Sequence, residues 1–71
     1  MKREELLEMF TYHRPGAGQV ERMKDLRECA LEFALLIDES VPDGPDKSAA
    51  IRKLRECVMT ANAAIVLEKE T

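Results

Sequence analysis

Two long segments without glycine or proline constrain the fold of this chain most. Residues 19–41 and 46–67 lack both helix breakers, and each is long enough for about six helical turns. Apolar residues recur in both segments at steps of three and four, the spacing of one helical face. They are Val20, Met23, Leu26, Ala30, Phe33, Ile37 and Val41 in the first, and Ile51, Leu54, Val58, Ala61 and Ile65 in the second. We therefore predict helices over residues 19–41 and 45–67.

A short turn separates these helices. Residues 42–45 read Pro-Asp-Gly-Pro. Gly44 or Asp43 can cap the following helix, and Pro45 fits its first turn. Because short connections join neighbouring antiparallel helices, the two segments should form a helical hairpin.

A shorter piece precedes the hairpin. Residues 2–9 mix Leu and Met with charged residues and suit a short amphipathic helix, which needs docking to be stable. Pro15 and two nearby glycines then interrupt helical structure, so residues 10–19 should form a loop that holds the only Tyr and the only His. The predicted fold class is all-α, in one domain over residues 1–71.

The first long helix is apolar on more than one face. Its second half presents Cys29, Ala30, Leu31, Phe33, Ala34, Leu35, Leu36 and Ile37 over most of its circumference. A single partner helix cannot cover them all. A chain of 71 residues also buries only about 60% of its unfolded surface and is marginally stable alone. We therefore predict a compact homo-oligomer.

Charge and hydropathy argue against two classes of partner. The net charge is −3 and the pI about 5.1, whereas a non-specific binder of DNA or RNA is normally basic. No apolar run approaches the roughly 20 residues of a membrane span, and the charged N-terminal residues lack the apolar region of a signal peptide. We expect no nucleic-acid polymer and no membrane as partner, and a cytosolic location.

The two cysteines occur in a small internal repeat. Leu26-Arg27-Glu28-Cys29 is repeated as Leu54-Arg55-Glu56-Cys57. In a hairpin folded about residue 43, both cysteines would lie at a similar level, so a disulfide is geometrically conceivable. Two cysteines do not make a secreted disulfide framework or a zinc site. The favoured interpretation is two reduced, small core residues, with no bound metal.

Positive charge gathers where the loop meets the first long helix. Residues 14–27 contain four cations and two acids, whereas residues 28–46 contain acids only. The cations are Arg14, Arg22, Lys24 and Arg27. With the rings of Tyr12 and His13 and the free amides of a helix start, they are typical of a nucleotide or phosphate site. The alternative is a solvated helix face with Tyr12 packed on the hairpin, which composition alone favours.

Asn62 is a second polar signal. Its neighbours three and four positions away are Val58, Met59, Ile65 and Val66, so its amide should lie in or beside buried surface and need partners. It either fixes the helix register or contacts a ligand. The spacing favours the structural role.

Catalysis has little support in the sequence. His13 is the single histidine, and no nucleophile motif, paired carboxylates in an apolar setting or metal-ligand spacing accompanies it. We predict a protein that is not an enzyme and has no cofactor, in which His13 stacks or forms a hydrogen bond.

The chain resembles the helical hairpin domain shared by phage anti-CBASS and anti-Thoeris sponge proteins. The most specific matches are Phe10-Thr11-Tyr12-His13 with Pro15, and the run from Val58 to Ile65, Val-Met-Thr-Ala-Asn-Ala-Ala-Ile. Further matches are Gly18-Gln19, Glu21-Arg22, Leu26-Arg27, Pro42-Asp43, Lys47-Ser48 and Leu54. The resemblance spans residues 10–65.

The resemblance implies a function and a site. Proteins of this kind form helical oligomers, typically hexamers, in the cytoplasm of the infected bacterial host. They sequester cyclic nucleotide immune signals without cleaving them, including cyclic di- and trinucleotides such as cyclic GMP-AMP, and cyclic ADP-ribose isomers. By this resemblance Tyr12 stacks on a base and Arg27 pairs with phosphate. Thr11, His13, Arg14 and Pro15 would form the pocket wall, with Met59 and Asn62 on the facing helix.

Two other functions stay open at this point. The chain could be a structural or protein-binding helical oligomer without a nucleotide ligand. It could also hydrolyse the signal, a remote alternative given the lack of catalytic motifs.

Overall fold

The computed structural model describes residues 2–68 and contains three helices within them. These are α1 (Arg3–Met9), α2 (Ala17–Ser40) and α3 (Pro45–Val66). The long helices α2 and α3 pack against each other as an antiparallel hairpin. The described part of the chain has no strand, which confirms the all-α fold class.

The start of α2 differs from the predicted start at Gln19. The helix begins at Ala17 with Gly16 as its N-cap residue, so Gly18 lies in the first helical turn. Gln19 caps this turn, because its side-chain Oε1 accepts a hydrogen bond from the Gly16 amide at 3.0 Å. A glycine inside a helix costs only about 1 kcal/mol, which this capping bond can offset.

The turn between α2 and α3 is held by Lys47. Its Nζ donates to the Asp38 carbonyl at 2.8 Å and pairs with the carboxylate of Asp43 at 2.9 Å. A second ion pair joins it to the Asp38 carboxylate at 3.1 Å. Hydrogen bonds to Asp43 and Asp38 raise the pKa of Lys47 above its ordinary value. The ammonium group thus links the end of α2 to the start of α3.

Gly44 supplies a backbone conformation that the turn requires. Its φ of 153° and ψ of −178° lie in a region that is essentially limited to glycine. Pro45 follows at the first helical position, where its missing amide costs nothing.

Replacing Gly44 with Ala is therefore expected to destabilise the hairpin by about 1 to 3 kcal/mol. The cost is backbone strain alone, because an added Cβ would meet no atom within 4 Å. Thermal unfolding measures it, and Gly18→Ala is the matched control. Gly18 also has open space where a Cβ would lie, and it belongs to a helix, so its replacement should stabilise the protein slightly. Equal midpoints for both variants would contradict the assignment of strain to Gly44.

The seam between α2 and α3 consists of half-buried side chains. On α3 the predicted stripe of Ile51, Leu54, Val58, Ala61 and Ile65 is half-buried throughout, as predicted. On α2 the half-buried residues include Met23, Ala30, Ala34 and Ile37, and Val41 directly after the helix is half-buried as well. The prediction also placed Val20, Leu26 and Phe33 in this stripe, and there it is wrong. Their side chains are 48%, 39% and 54% exposed, while Ala34, the small neighbour of Phe33, faces the seam.

The N-terminal helix α1 does not pack against the hairpin. Within the described residues, α2 and α3 are the only two helices in close contact. The apolar side chains of Leu6, Leu7, Met9 and Phe10 remain exposed, and Phe10 is 85% accessible. The docking that so short a helix needs is therefore not supplied by its own hairpin.

A single chain leaves much apolar surface open. No described residue is fully buried, and Leu31, Leu35, Leu36 and Met59 are all more than half exposed. The accessible surface is 6194 Å², against about 4500 Å² for a compact monomer of this mass. This extent of apolar exposure supports the expectation of an oligomer.

Both cysteines are free thiols on the surface of the single chain. The prediction that Cys29 and Cys57 are core residues is wrong for one subunit.

Within residues 2–68, none of the helices combines the length and apolarity needed to cross a membrane.

Candidate functional site

The loop after α1 is anchored to that helix and presents Tyr12 outward. The Thr11 hydroxyl donates to the Leu7 carbonyl, and His13 Nε2 donates to the Glu8 carbonyl. The hydrogen bond confirms one of the two roles predicted for His13. Tyr12 lies between these anchors and is 85% exposed. The alternative in which Tyr12 packs against the hairpin is therefore wrong for the single chain.

A cleft opens where the loop meets the free ends of the hairpin. It has a volume of about 820 Å³ and is lined by Arg14, Gly16, Ala17, Gly18, Gln19, Arg22, Val66 and Glu68. We call it the end cleft. Gln19 connects the two helices at the end cleft. Its side-chain Nε2 donates a hydrogen bond to the Ile65 carbonyl at 2.8 Å, which joins the start of α2 to the last turn of α3. Of the predicted site residues, the end cleft brings Arg14 and Arg22 together.

An ion pair occupies one side of the end cleft. Arg22 donates two hydrogen bonds to the two carboxylate oxygens of Glu68, at 2.6 and 3.1 Å. Hydrogen bonding and the charge of Glu68 raise the pKa of Arg22 above its ordinary value. The same bonds and charge from Arg22 lower the pKa of Glu68. The end cleft contains two arginines, and the charge of Arg22 is neutralised by this ion pair with Glu68.

Acid is expected to weaken this connection between the hairpin ends. Because the folded pKa of Glu68 lies below its ordinary value of 4.5, the pair stabilises the fold above that pH. The contribution is lost as the pH falls through the lower, folded pKa. Glu68→Gln should lower the thermal midpoint slightly near neutral pH, and the difference from wild type should close in acid.

The matched control is Glu56→Gln on the exposed surface of α3. It should leave the midpoint unchanged at both pH values, since Glu56 forms no ion pair within residues 2–68. A Glu68→Gln deficit that persisted in strong acid would contradict the ion-pair interpretation.

A second depression lies on the side of the hairpin between α2 and α3. Its volume is about 290 Å³, and it is lined by Arg27, Ala30, Leu31, Ala34, Ile51, Leu54, Arg55, Val58 and Met59. We call it the side groove. It brings together the predicted residues Arg27 and Met59, one from each long helix. Sequence reasoning missed Arg55 here, although the Leu-Arg-Glu-Cys repeat places it in the same local context as Arg27.

The remaining predicted residues lie apart from these two surfaces. Lys24 is exposed on α2 and Pro15 is half-buried in the loop, and neither lines the end cleft or the side groove. Asn62 is half-buried, as its apolar neighbours predict. Its Oδ1 is inaccessible and accepts no hydrogen bond from the described residues. A buried amide oxygen without a donor is costly, and a second molecule cannot reach this oxygen as it is packed in the single chain.

Metal binding has no support in the described residues. Within residues 2–68, no cluster of His, Cys, Asp and Glu side chains is arranged to hold a metal ion. The candidate site instead contains arginine side chains, apolar surface and an aromatic ring. They belong to the end cleft, the side groove and the exposed Tyr12. These groups bind ligands that combine phosphates with flat bases.

Comparison with known proteins agrees with this chemistry. No curated protein and no solved structure matches the chain. The family model described as Acb2/Tad1, hairpin domain, matches residues 4–66, which include all but the first residue of α1, the loop and both long helices. The chain therefore belongs to the Acb2/Tad1 hairpin-domain family of phage anti-CBASS and anti-Thoeris sponge proteins.

Proposed function

We propose that this protein binds cyclic nucleotide immune signals of the infected bacterium and sequesters them without cleaving them. The ligands would be cyclic di- or trinucleotides, such as cyclic GMP-AMP, or cyclic ADP-ribose isomers. The observation on which the proposal depends is the family match over residues 4–66, since the family is one of anti-defence sponges. Binding would take place in the cytoplasm of the host cell.

The exposure of Tyr12 supports a stacking role. Its ring is 85% exposed in the single chain, on a loop whose neighbours Thr11 and His13 are fixed to α1. A ring presented on an anchored loop loses little freedom when a base stacks on it. Stacking of one base on an aromatic side chain is worth roughly 1 to 3 kcal/mol.

The position of Arg27 supports phosphate binding. Its side chain lines the apolar side groove, and its guanidinium forms no ion pair within residues 2–68. A phosphate could therefore bind it without displacing a carboxylate. This distinguishes Arg27 from Arg22, which already pairs with Glu68.

Both surfaces support pockets shared between subunits. The end cleft and the side groove are open to solvent, and Tyr12 lines neither of them. One ligand could contact both Tyr12 and Arg27 most simply if the two residues came from neighbouring subunits. The exposed apolar residues of α1 and α2 provide surface for such contacts, and a homohexamer is the expected assembly.

Sequestration makes modest chemical demands, which fit the site. Tight binding suffices, and no residue has to transfer a proton or attack phosphorus. The single imidazole, His13, already uses its Nε2 to bond the Glu8 carbonyl. A sponge must bind below the working concentration of the signal, so we expect nanomolar affinity, or about −12 kcal/mol.

Calorimetric titration of the purified protein tests the proposal. The panel contains cyclic GMP-AMP, a cyclic trinucleotide and cyclic ADP-ribose, with the linear dinucleotide of the same bases as control. At least one cyclic compound should bind with nanomolar affinity and the linear control far more weakly. Equal, weak heats for every compound would contradict the proposal.

A protein-binding role is the second candidate. The observation that favours it is the exposed apolar side of α1, where Phe10 is 85% accessible next to Tyr12. Under this alternative, Tyr12→Ala and Arg27→Ala would disturb assembly or partner binding instead of nucleotide binding. Oligomer mass and nucleotide affinity, measured on the same samples, separate the two roles.

A further inference from the structure

The side groove brings together two arginines from opposite helices. Arg27 belongs to α2 and Arg55 to α3, and both line the groove. The two helices pack against each other, and the groove between them is small enough for one ligand to contact both side chains. Long arginine side chains from both walls of one groove can place their guanidinium groups on the same ligand.

Neither arginine is neutralised within the described chain. The ion pairs among residues 2–68 use only Arg22 and Lys47 as cations. Arg27 and Arg55 remain exposed at the rim of one small groove, although the protein has a net charge of −3. Two like charges at one rim repel each other, and an anion bound between them removes this cost.

The floor of the groove is apolar. Apart from the two arginines, it is lined only by alanine and larger aliphatic side chains and by Met59. Such a floor suits the face of a base, and the guanidinium rim suits phosphate oxygens, which arginine binds through two parallel hydrogen bonds. The volume of about 290 Å³ is just below the usual range for ligand sites, roughly 300 to 1000 Å³. One subunit can therefore take one nucleotide unit of a larger ligand.

From this juxtaposition, and resting on the proposed function above, we infer that Arg55 is a second phosphate-binding residue of the signal site. Arg27 and Arg55 bind the phosphate of one nucleotide unit from opposite helices. The base of that unit lies on the apolar floor beside Leu31 and Met59.

The test measures retention of cyclic GMP-AMP, a cyclic trinucleotide and cyclic ADP-ribose by Arg55→Ala. The matched control is Arg52→Ala, which removes the same charge from an exposed position on α3 outside the groove. We expect Arg55→Ala to weaken binding at least about tenfold, as does loss of a hydrogen bond to a charged group. Arg52→Ala should leave it unchanged. Arg55→Lys keeps the positive charge but loses the two parallel donors of the guanidinium, so its affinity should lie between those of wild type and Arg55→Ala.

Three further readouts exclude a structural explanation. The oligomer mass and thermal midpoint of Arg55→Ala should equal those of wild type. The salt dependence of binding should fall in Arg55→Ala but not in Arg52→Ala, because only the former loses a contact with the anion.

The possible outcomes separate this inference from the proposed function. Arg27→Ala losing retention while Arg55→Ala keeps it would overturn the inference and leave the sponge function in place. A change of oligomer mass in Arg55→Ala would also overturn it, because the groove would then hold an acidic segment of a second copy. Failure of the wild type to retain any of the three compounds would overturn the proposed function and this inference with it.

Discussion

Replacing Tyr12 with Ala is expected to weaken binding of the cyclic nucleotide signal by about 5- to 160-fold, the equivalent of 1 to 3 kcal/mol of lost stacking. The oligomer mass and the thermal midpoint should not change. The reason is the position of the ring, which is 85% exposed and does not stabilise the fold of a single chain. Titration calorimetry and sedimentation on the same sample measure both properties.

Tyr12→Phe is the control for the ring itself. It keeps the aromatic face and removes only the hydroxyl, so most of the affinity should remain. If Tyr12→Ala instead fell apart into monomers, the loop would serve assembly, and the stacking role would be contradicted. Full affinity in Tyr12→Ala would contradict it as well.

Replacing Phe33 with Glu is expected to convert the proposed oligomer into subunits of 8.1 kDa and to abolish the proposed signal retention. Phe33 is 54% exposed and lies outside the seam of its own hairpin, so the change should spare the hairpin. In an oligomer, this side chain and its exposed neighbours Leu35 and Leu36 would be covered by another subunit. Burying a charge without a partner there costs several kcal/mol in each copy, and the apolar contact, worth about 1.5 to 3 kcal/mol, is also lost.

Glu32→Gln on the same turn is the control, because it removes a charge from an exposed polar position. Its sedimentation should match that of wild type. A stable wild-type monomer would contradict the expectation of an oligomer at once. Normal assembly and retention in Phe33→Glu would show that this part of α2 is not an interface.

The hairpin could be predicted because its determinants are local. The apolar residues of α3 recur at helical steps, and the Pro-Asp-Gly-Pro turn has the residues that end one helix and start the next. On α2 the same rule could not decide between Phe33 and Ala34, since both are apolar. The structure places Ala34 at the seam, where a small side chain lets the helices approach closely.

The site was only partly predictable, because its main contacts are distant in sequence. The structure exposes Tyr12 and places Arg27 and Met59 in one groove, and the ligand-binding roles of these residues stay predictions. The pairing of Arg22 with Glu68 joins residues 46 positions apart in the sequence, and local spacing does not reveal such a pair. Arg55 was missed for a similar reason: its repeat was visible, but its shared groove with Arg27 depends on the register of two helices.

Sequestration itself is tested most directly by retention and release. The purified protein is incubated with a panel of cyclic di- and trinucleotides and cyclic ADP-ribose isomers, free ligand is removed by filtration, and bound ligand is released by heat and identified by chromatography. We predict that one compound is held and is released chemically intact. Retention of nothing at micromolar protein, or release of an altered nucleotide, would contradict the assignment of a sponge that binds without cleaving.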